Sequence, residues 1–109
     1  MPLTTRTLAA SLCTRPDDGV LVEGGVAEQT RQALENVVAA LARVGASAAD
    51  VVRTRIYVTD IAQWEAAGRV HGEFFGAHRP ATAMVEVARL IDPAMEVEVE
   101  VDAVVGAEA

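Results

Sequence analysis

The fold class predicted by the sequence is a two-layer α+β domain, with two helices laid on one face of a sheet in the order ββαβαββ. Three observations carry it. From Met95 to Val105 (MEVEVEVDAVV) valine alternates with carboxylate, the period of a strand with one face in a core and the other in water. From Glu28 to Val44, the residues Leu34, Val37, Val38, Leu41 and Val44 recur at spacings of three and four, which is the period of an amphipathic helix. Between these, Val51 to Thr59 (VVRTRIYVT) is a β-branched run leading straight into a second helical pattern.

The remaining elements follow from local chemistry. Thr5 to Cys13 (TRTLAASLC) reads as a short strand; RPDDG at Arg15–Gly19 is a turn, and Val20–Val22 is the second strand of a hairpin. Gly24-Gly25 interrupts the chain before the first helix, and Gly45 suits that helix's C-terminal cap. Asp60 followed by Gln63 resembles a capping pair for the second helix, which runs to about Gly76 and turns Ile61, Trp64, Ala67, His71, Phe74 and Phe75 toward the core. His78-Arg79-Pro80 ends it, because the residue before a proline is pushed out of the helical region. A strand follows at RPATAMVEVARL (Arg79–Leu90), in which Thr82, Met84, Glu86 and Ala88 share one face while Ala83, Val85, Val87 and Arg89 share the other.

At 109 residues the chain is a single domain, 1–109. Hydrophobic residues make up 51% of it, more than so small a core needs, and two helices cover only one face of the sheet; both point to other subunits as the remaining cover. The formal charge is −7, there is no lysine and no run of arginine forms a local basic patch, so phosphate backbones are repelled and no nucleic-acid partner is expected. Cys13 is the sole cysteine, which rules out an intramolecular disulfide and fits a reducing, cytoplasmic setting. No apolar run approaches the ~20 residues of a membrane span and no signal-peptide pattern opens the chain, so the expectation is a soluble protein without membrane partners.

The acidic ladder Glu96, Glu98, Glu100 and Asp102 is the most unusual electrostatic feature, with successive carboxylates ~7 Å apart on one strand face. It reads either as a solvated face or as a cleft wall in which one glutamate positions water, with Arg53, Arg55 and Arg89 as counter-charges. His71 reads as a half-buried, satisfied histidine, and Trp64 and Met84 as core or pocket wall. The two histidines match no metal-ligand spacing, so no metal is assigned. No phosphate loop, nucleophile elbow or catalytic triad is present.

The segments EQTRQALENVVAALARVGASAADVVRTRIYVTD, RPATAMVEVARL and VEVEV together resemble the Rid family, also called the YjgF or reactive intermediate/imine deaminase family, over Pro16–Val105. The resemblance implies a chorismate-mutase-like α+β fold that trimerises, with three sheets inside, helices outside and clefts between subunits. It also implies cofactor-free hydrolysis of enamines or imines to 2-oxo acids and ammonia. The family's deaminases hold the substrate carboxylate with an arginine directly after a Pro-Ala pair, where this sequence has Thr82. The family's Ser-Gly pair falls on Ala9 and Ala10, its second-helix asparagine falls on Gly68, and its tyrosine-bearing segment ahead of the first strand has no counterpart here. The last-strand glutamate that positions water maps to Glu98 or, with a two-residue shift, to Glu100.

These correspondences set the functional expectation. Glu98 and Thr82 are the candidate catalytic residues, and Met84, Glu86, Arg89, Ala10 and Glu100 the candidate substrate-binding ones. The ligand is a small imine, enamine or related reactive metabolite; Thr82 with Met84 in place of anionic recognition favours a neutral or less polar one. The alternative is a non-catalytic trimer that binds a metabolite or regulates a partner, and the −7 charge counts against a ribonuclease or translation inhibitor.

Overall fold

A computed structural model describes residues 5–11 and 13–105, with side chains described from Cys13 onward. Its sheet has four strands in the spatial order β1-β4-β2-β3, where β1 is Thr5–Ser11, β2 Val51–Val58, β3 Ala81–Glu86 and β4 Val97–Val105. β4 is antiparallel to both its neighbours, whereas β2 and β3 run parallel, joined by a helix crossover. Helices α1 (Val26–Ala42) and α2 (Trp64–Phe75) carry the apolar stripes that cover the sheet.

The core lies between these two layers. Leu34, Val37 and Leu41 of α1 and Ala67, Val70 and Phe75 of α2 meet Ile56 and Val58 of β2 and Val97, Val99, Val101 and Ala103 of β4, all buried. The valine parity of β4 therefore faces the helices, and its carboxylate parity faces the open side. In β2 the register slips between Val51 and Arg53, so Val52 is an extra, half-exposed residue. Beyond this bulge Thr54, Ile56 and Val58 face the helices and Arg53, Arg55 and Tyr57 face outward.

Two glycine-dependent or polar devices anchor the ends of α1. At its C-terminus Ala46 N–H donates to Leu41 O (2.9 Å) and Gly45 N–H to Ala42 O (3.2 Å), with Gly45 at φ +79°. Near its N-terminus Gln29, only 2% exposed, donates from Nε2 to Ala94 O (3.0 Å) and accepts at Oε1 from Glu96 N–H (2.7 Å) and from Cys13 Sγ (3.2 Å). That one side chain ties the loop before β4 to the helix layer. Burial raises the Cys13 thiol pKa, so it stays protonated.

Three expectations are corrected. Val20–Val22 forms no strand, only the single bridge Thr14–Leu21, because Gly24 and Gly25 turn the chain away before a ladder can extend. Val44 is 59% exposed, since the helix closes at Ala42 through Gly45. Ile61 and Trp64 are 40% and 56% exposed: a 3₁₀ turn at Ile61–Gln63, capped by Asp60, leads into α2, and burial begins only at Ala67. Periodicity reports a side chain's angle about the axis and not whether a covering layer reaches that far along it. No helix among the described residues is long and apolar enough to cross a membrane.

Candidate active site

On the open face of the sheet, Arg55 and Tyr57 of β2 converge on Glu100 of β4. Arg55 Nε donates to Glu100 Oε1 at 3.1 Å, Tyr57 OH donates to the same oxygen at 2.6 Å, and the Arg55 guanidinium also donates to Asp102 Oδ1 at 3.2 Å. Cross-strand register dictates this meeting, because Arg55 lies directly opposite Glu100. The tyrosine hydrogen bond, then the arginine, hold the Glu100 carboxyl below its usual pKa, and the same bond pushes the Tyr57 phenol up. At neutral pH the cluster is thus a carboxylate gripped by a neutral phenol and a guanidinium. Both donors use Oε1, leaving Oε2 without a donor among the described residues. A cleft of about 220 Å³ opens along the β2–β3 pair, lined by Arg53, Thr54, Arg55, Ala81, Thr82 and Ala83, and of the cluster only Arg55 reaches it.

On the helix-facing side a second polar group runs across β2 and β3. Parallel register sets Thr54 beside Thr82, and their hydroxyl oxygens are 2.9 Å apart. Thr54 Oγ1 is also 2.8 Å from His71 Nε2 of α2, and Thr82 donates to Pro80 O at 3.0 Å. A carbonyl only accepts, so the direction of the chain follows: His71 Nε2–H donates to Thr54, Thr54 to Thr82, and Thr82 to Pro80. Burial lowers the His71 pKa, and its ring packs against Phe75 with centroids 4.9 Å apart and planes tilted by 48°. Thr54 is fully buried, while Thr82 is exposed.

The residues expected from sequence fall into these two groups. Glu98 and Glu100 occupy the open face, where Glu98, opposite Tyr57, has no hydrogen-bond partner among the described residues. Thr82, Met84 and Glu86 occupy the helix-facing parity: Met84 packs against the core, and Glu86 Oε1 accepts from Ile61 N–H at 2.9 Å, capping the turn that starts α2. Arg89 is exposed and forms no ion pair among the described residues; the same holds for Arg53. Ala10 stands in register with Glu100, but its side chain, like that of Ala9, lies outside the described residues. Arg55 alone of the three expected counter-charges pairs with the acidic ladder. Sequence reasoning gave no role to Tyr57 or Thr54. The usable signals were the Arg53/Arg55/Tyr57 parity of β2 and a lone polar residue, Thr54, on its buried parity. Among the described residues no group of three His, Cys, Asp or Glu could hold a metal ion.

A comparison with known families matches residues 5–105 to the family described as Endoribonuclease L-PSP, the YjgF/Rid family. The chain belongs to the Rid family. Among curated relatives this Rid chain is 37% identical over 83 residues to a RutC family protein of Pyrococcus abyssi, covering 76% of this chain and 65% of the relative. It is 34% identical over 91 residues to the human 2-iminobutanoate/2-iminopropanoate deaminase, covering 84% and 66%. The chain thus spans about two thirds of the length of these relatives. Among solved structures, a member of the YjgF/YER057c/UK114 family from Mycobacterium tuberculosis is 48% identical with a TM-score of 0.75, covering 88% of this chain and 77% of that one. The YjgF gene product of E. coli is 31% identical with a TM-score of 0.82, covering 94% and 80%. The two-helix, one-sheet architecture described above is therefore the Rid chorismate-mutase-like α+β fold.

Proposed function

We propose that this Rid chain hydrolyses a small imine or enamine in a cleft between subunits of a homotrimer, without a cofactor, in the cytoplasm. The observation that carries the reading is Glu100: a carboxylate held at one oxygen by Arg55 and Tyr57, with its other oxygen open to accept from water. Relatives named as 2-iminobutanoate/2-iminopropanoate deaminases and a structure of E. coli TdcF with bound serine support a small amino-acid-like ligand.

The chemistry assigned to the cluster is addition of water. Glu100 orients the water and accepts its proton as the oxygen adds to the imine carbon, giving a carbinolamine. The nitrogen takes that proton, and the C–N bond then breaks as the carbonyl forms while the hydroxyl proton passes to the departing nitrogen, so that imine and water become a ketone and ammonia. Held as a carboxylate, Glu100 positions the water and takes its proton only as the new C–O bond forms. Of the two glutamates that the family's water-positioning position can match, Glu100 rather than Glu98 has its oxygen fixed by protein donors.

Thr82 and Glu100 lie on opposite faces of the same sheet, so a site using both draws Thr82 from one subunit and Glu100 from another. That parity, together with the uncovered open face, supports the trimer. The family description names an endoribonuclease, but a charge of −7 without lysine opposes a polyphosphate substrate.

The test supplies imines generated in situ by an amino-acid oxidase and follows their decay. Acceleration over buffer, lost in Glu100→Gln, is expected, and Thr82→Arg is expected to speed turnover of imines bearing a carboxylate. Ligand binding with no acceleration for any of several side chains would refute the catalytic reading. A native mass of three times the 11.5 kDa chain is expected; a monomer would refute the two-subunit site.

A further inference from the structure

A hydroxyl carries one hydrogen and two lone pairs, and the neighbours of Thr82 use up the hydrogen. Thr82 Oγ1 lies 2.9 Å from Thr54 Oγ1 and 3.0 Å from Pro80 O, while Thr54 Oγ1 lies 2.8 Å from His71 Nε2. Pro80 O has no hydrogen to give, so in the chain that starts at His71 the Thr54 hydrogen is aimed at Thr82 and the Thr82 hydrogen at Pro80 O. One lone pair remains on Thr82 Oγ1, and this is what the exposed side chain offers a ligand. Placing the His71 proton on Nδ1 reverses the chain: Thr82 then donates to Thr54, Thr54 to His71 Nε2, and the Thr82 hydrogen is again spent inside the protein. Donating outward would break the bond to Pro80 O. Accepting breaks nothing.

The lone pair borders a cleft of about 260 Å³ on the helix-facing side, where His71, Gly72, Phe75, Arg79 and Pro80 supply other parts of the wall. At Gly72 a Cβ would meet nothing within 4 Å, so the space beside His71 is open, and the volume suits a ligand of a few heavy atoms. Pro80 O keeps a lone pair of its own, so an NH2 group meets two acceptors 3.0 Å apart. The cation Arg79 in the same wall repels an ammonium, which leaves an uncharged donor. A carboxylate brings only lone pairs and sets oxygen against oxygen at Thr82; a carboxamide N–H does not.

We propose that Thr82 is a hydrogen-bond acceptor that selects a ligand bearing an uncharged N–H donor, a primary carboxamide beside the carbonyl or imine carbon. Thr54 and His71 are positioning residues that act through it. That the natural ligand is an imine rests on the reading above; the hydrogen-bond polarity at Thr82 does not.

The test titrates full-length protein with 2-oxobutanamide, its N,N-dimethyl derivative and 2-oxobutanoate, and follows backbone amide shifts. Shifts at Gly72 and Thr82 are expected with the primary amide, which should bind about tenfold more tightly than either of the others, the worth of a hydrogen bond whose loss leaves a polar atom unmatched. The N-methyl amide, which keeps one N–H, falls between and separates lost donors from added bulk. Thr82→Val removes the acceptor at a strand position that suits valine, so the primary and dimethyl amides should then bind alike, and Thr82→Ser should keep the preference. Thr54→Val releases the Thr82 hydrogen from its fixed direction and should narrow the ratio of the two affinities, with Thr54→Ser restoring it; a purely structural role for Thr54 would lower both affinities and leave the ratio unchanged. Equal affinity for the three ligands, tighter binding of the carboxylate, or a preference that survives Thr82→Val would overturn the proposal. If the amide preference is found but no imine is hydrolysed, the selection stands and the reaction falls. If imines bearing a carboxylate turn over faster than those bearing a carboxamide, the reaction stands and the selection falls.

Discussion

Thr54→Val is the substitution whose consequence can be worked most directly from the geometry. Valine keeps the shape and suits a strand, so packing is preserved and only the hydroxyl is lost. That hydroxyl is fully buried and lies 2.8 Å from His71 Nε2 and 2.9 Å from Thr82 Oγ1. Thr82 is exposed and regains water, so little is lost at that end. His71 is half-buried beneath Phe75, and its Nε2–H is left without its acceptor. With net values of roughly 0.5–1.5 kcal/mol per hydrogen bond and more for an orphaned donor, the expected cost is about 1–2 kcal/mol. For a domain of this size that corresponds to a fall in Tm of about 4–10 °C by calorimetry. A double-mutant cycle with His71→Leu should return a coupling of about 0.5–1.5 kcal/mol. A Tm equal to that of the parent, or zero coupling, would refute the hydrogen-bonded chain and with it the aiming of Thr82.

Other expectations follow from the same geometry. The folded-state pKa of His71 lies below the unfolded value of about 6.5, so the unfolded chain takes up the proton first. Stability is then full above that pH and falls as pH drops toward the folded value; urea midpoints should show this slope, and His71→Leu should remove it. Glu100 is also depressed, but as an acid its contribution is present above the ordinary carboxylate pKa of about 4.3 and is lost as pH falls through the folded value, so Glu100→Gln should flatten only that lower window. Gln29→Leu strands Ala94 O and Glu96 N–H and should cost about 2–4 kcal/mol in chemical denaturation, more than substitution of an exposed polar residue. Gly45→Ala forces a Cβ into φ +79° and should cost about 1 kcal/mol, visible as a lower urea midpoint.

Much of the architecture was legible before the structure. The alternation of Val97 to Val101 and the stripe of Leu34, Val37 and Leu41 are local patterns whose periods each admit one backbone geometry. The limits lay where burial depends on distance along an element, as with Trp64 and Ile61. They also lay where pairing needs room, as with Val20–Val22 beside the two glycines. At the candidate site the acidic ladder and Thr82 could be named from sequence, but Glu98 and Glu100 share a strand parity and no pattern separates them. Only cross-strand register, which sets Arg55 opposite Glu100 and Tyr57 opposite Glu98, shows which glutamate is gripped.

By itself, then, the sequence determined the family, the two helices, the four strands of the sheet and the parity of their side chains, because these depend on neighbours within a few positions. Tertiary structure decided which parities meet. It put Thr54, Thr82 and His71 into one hydrogen-bonded chain although they are 17 and 28 residues apart, and it placed Thr82 and Glu100 on opposite faces of one sheet. The physical reason is that strand order and register are set by the packing of the whole core against the helices, a sum over distant apolar contacts that no local window contains.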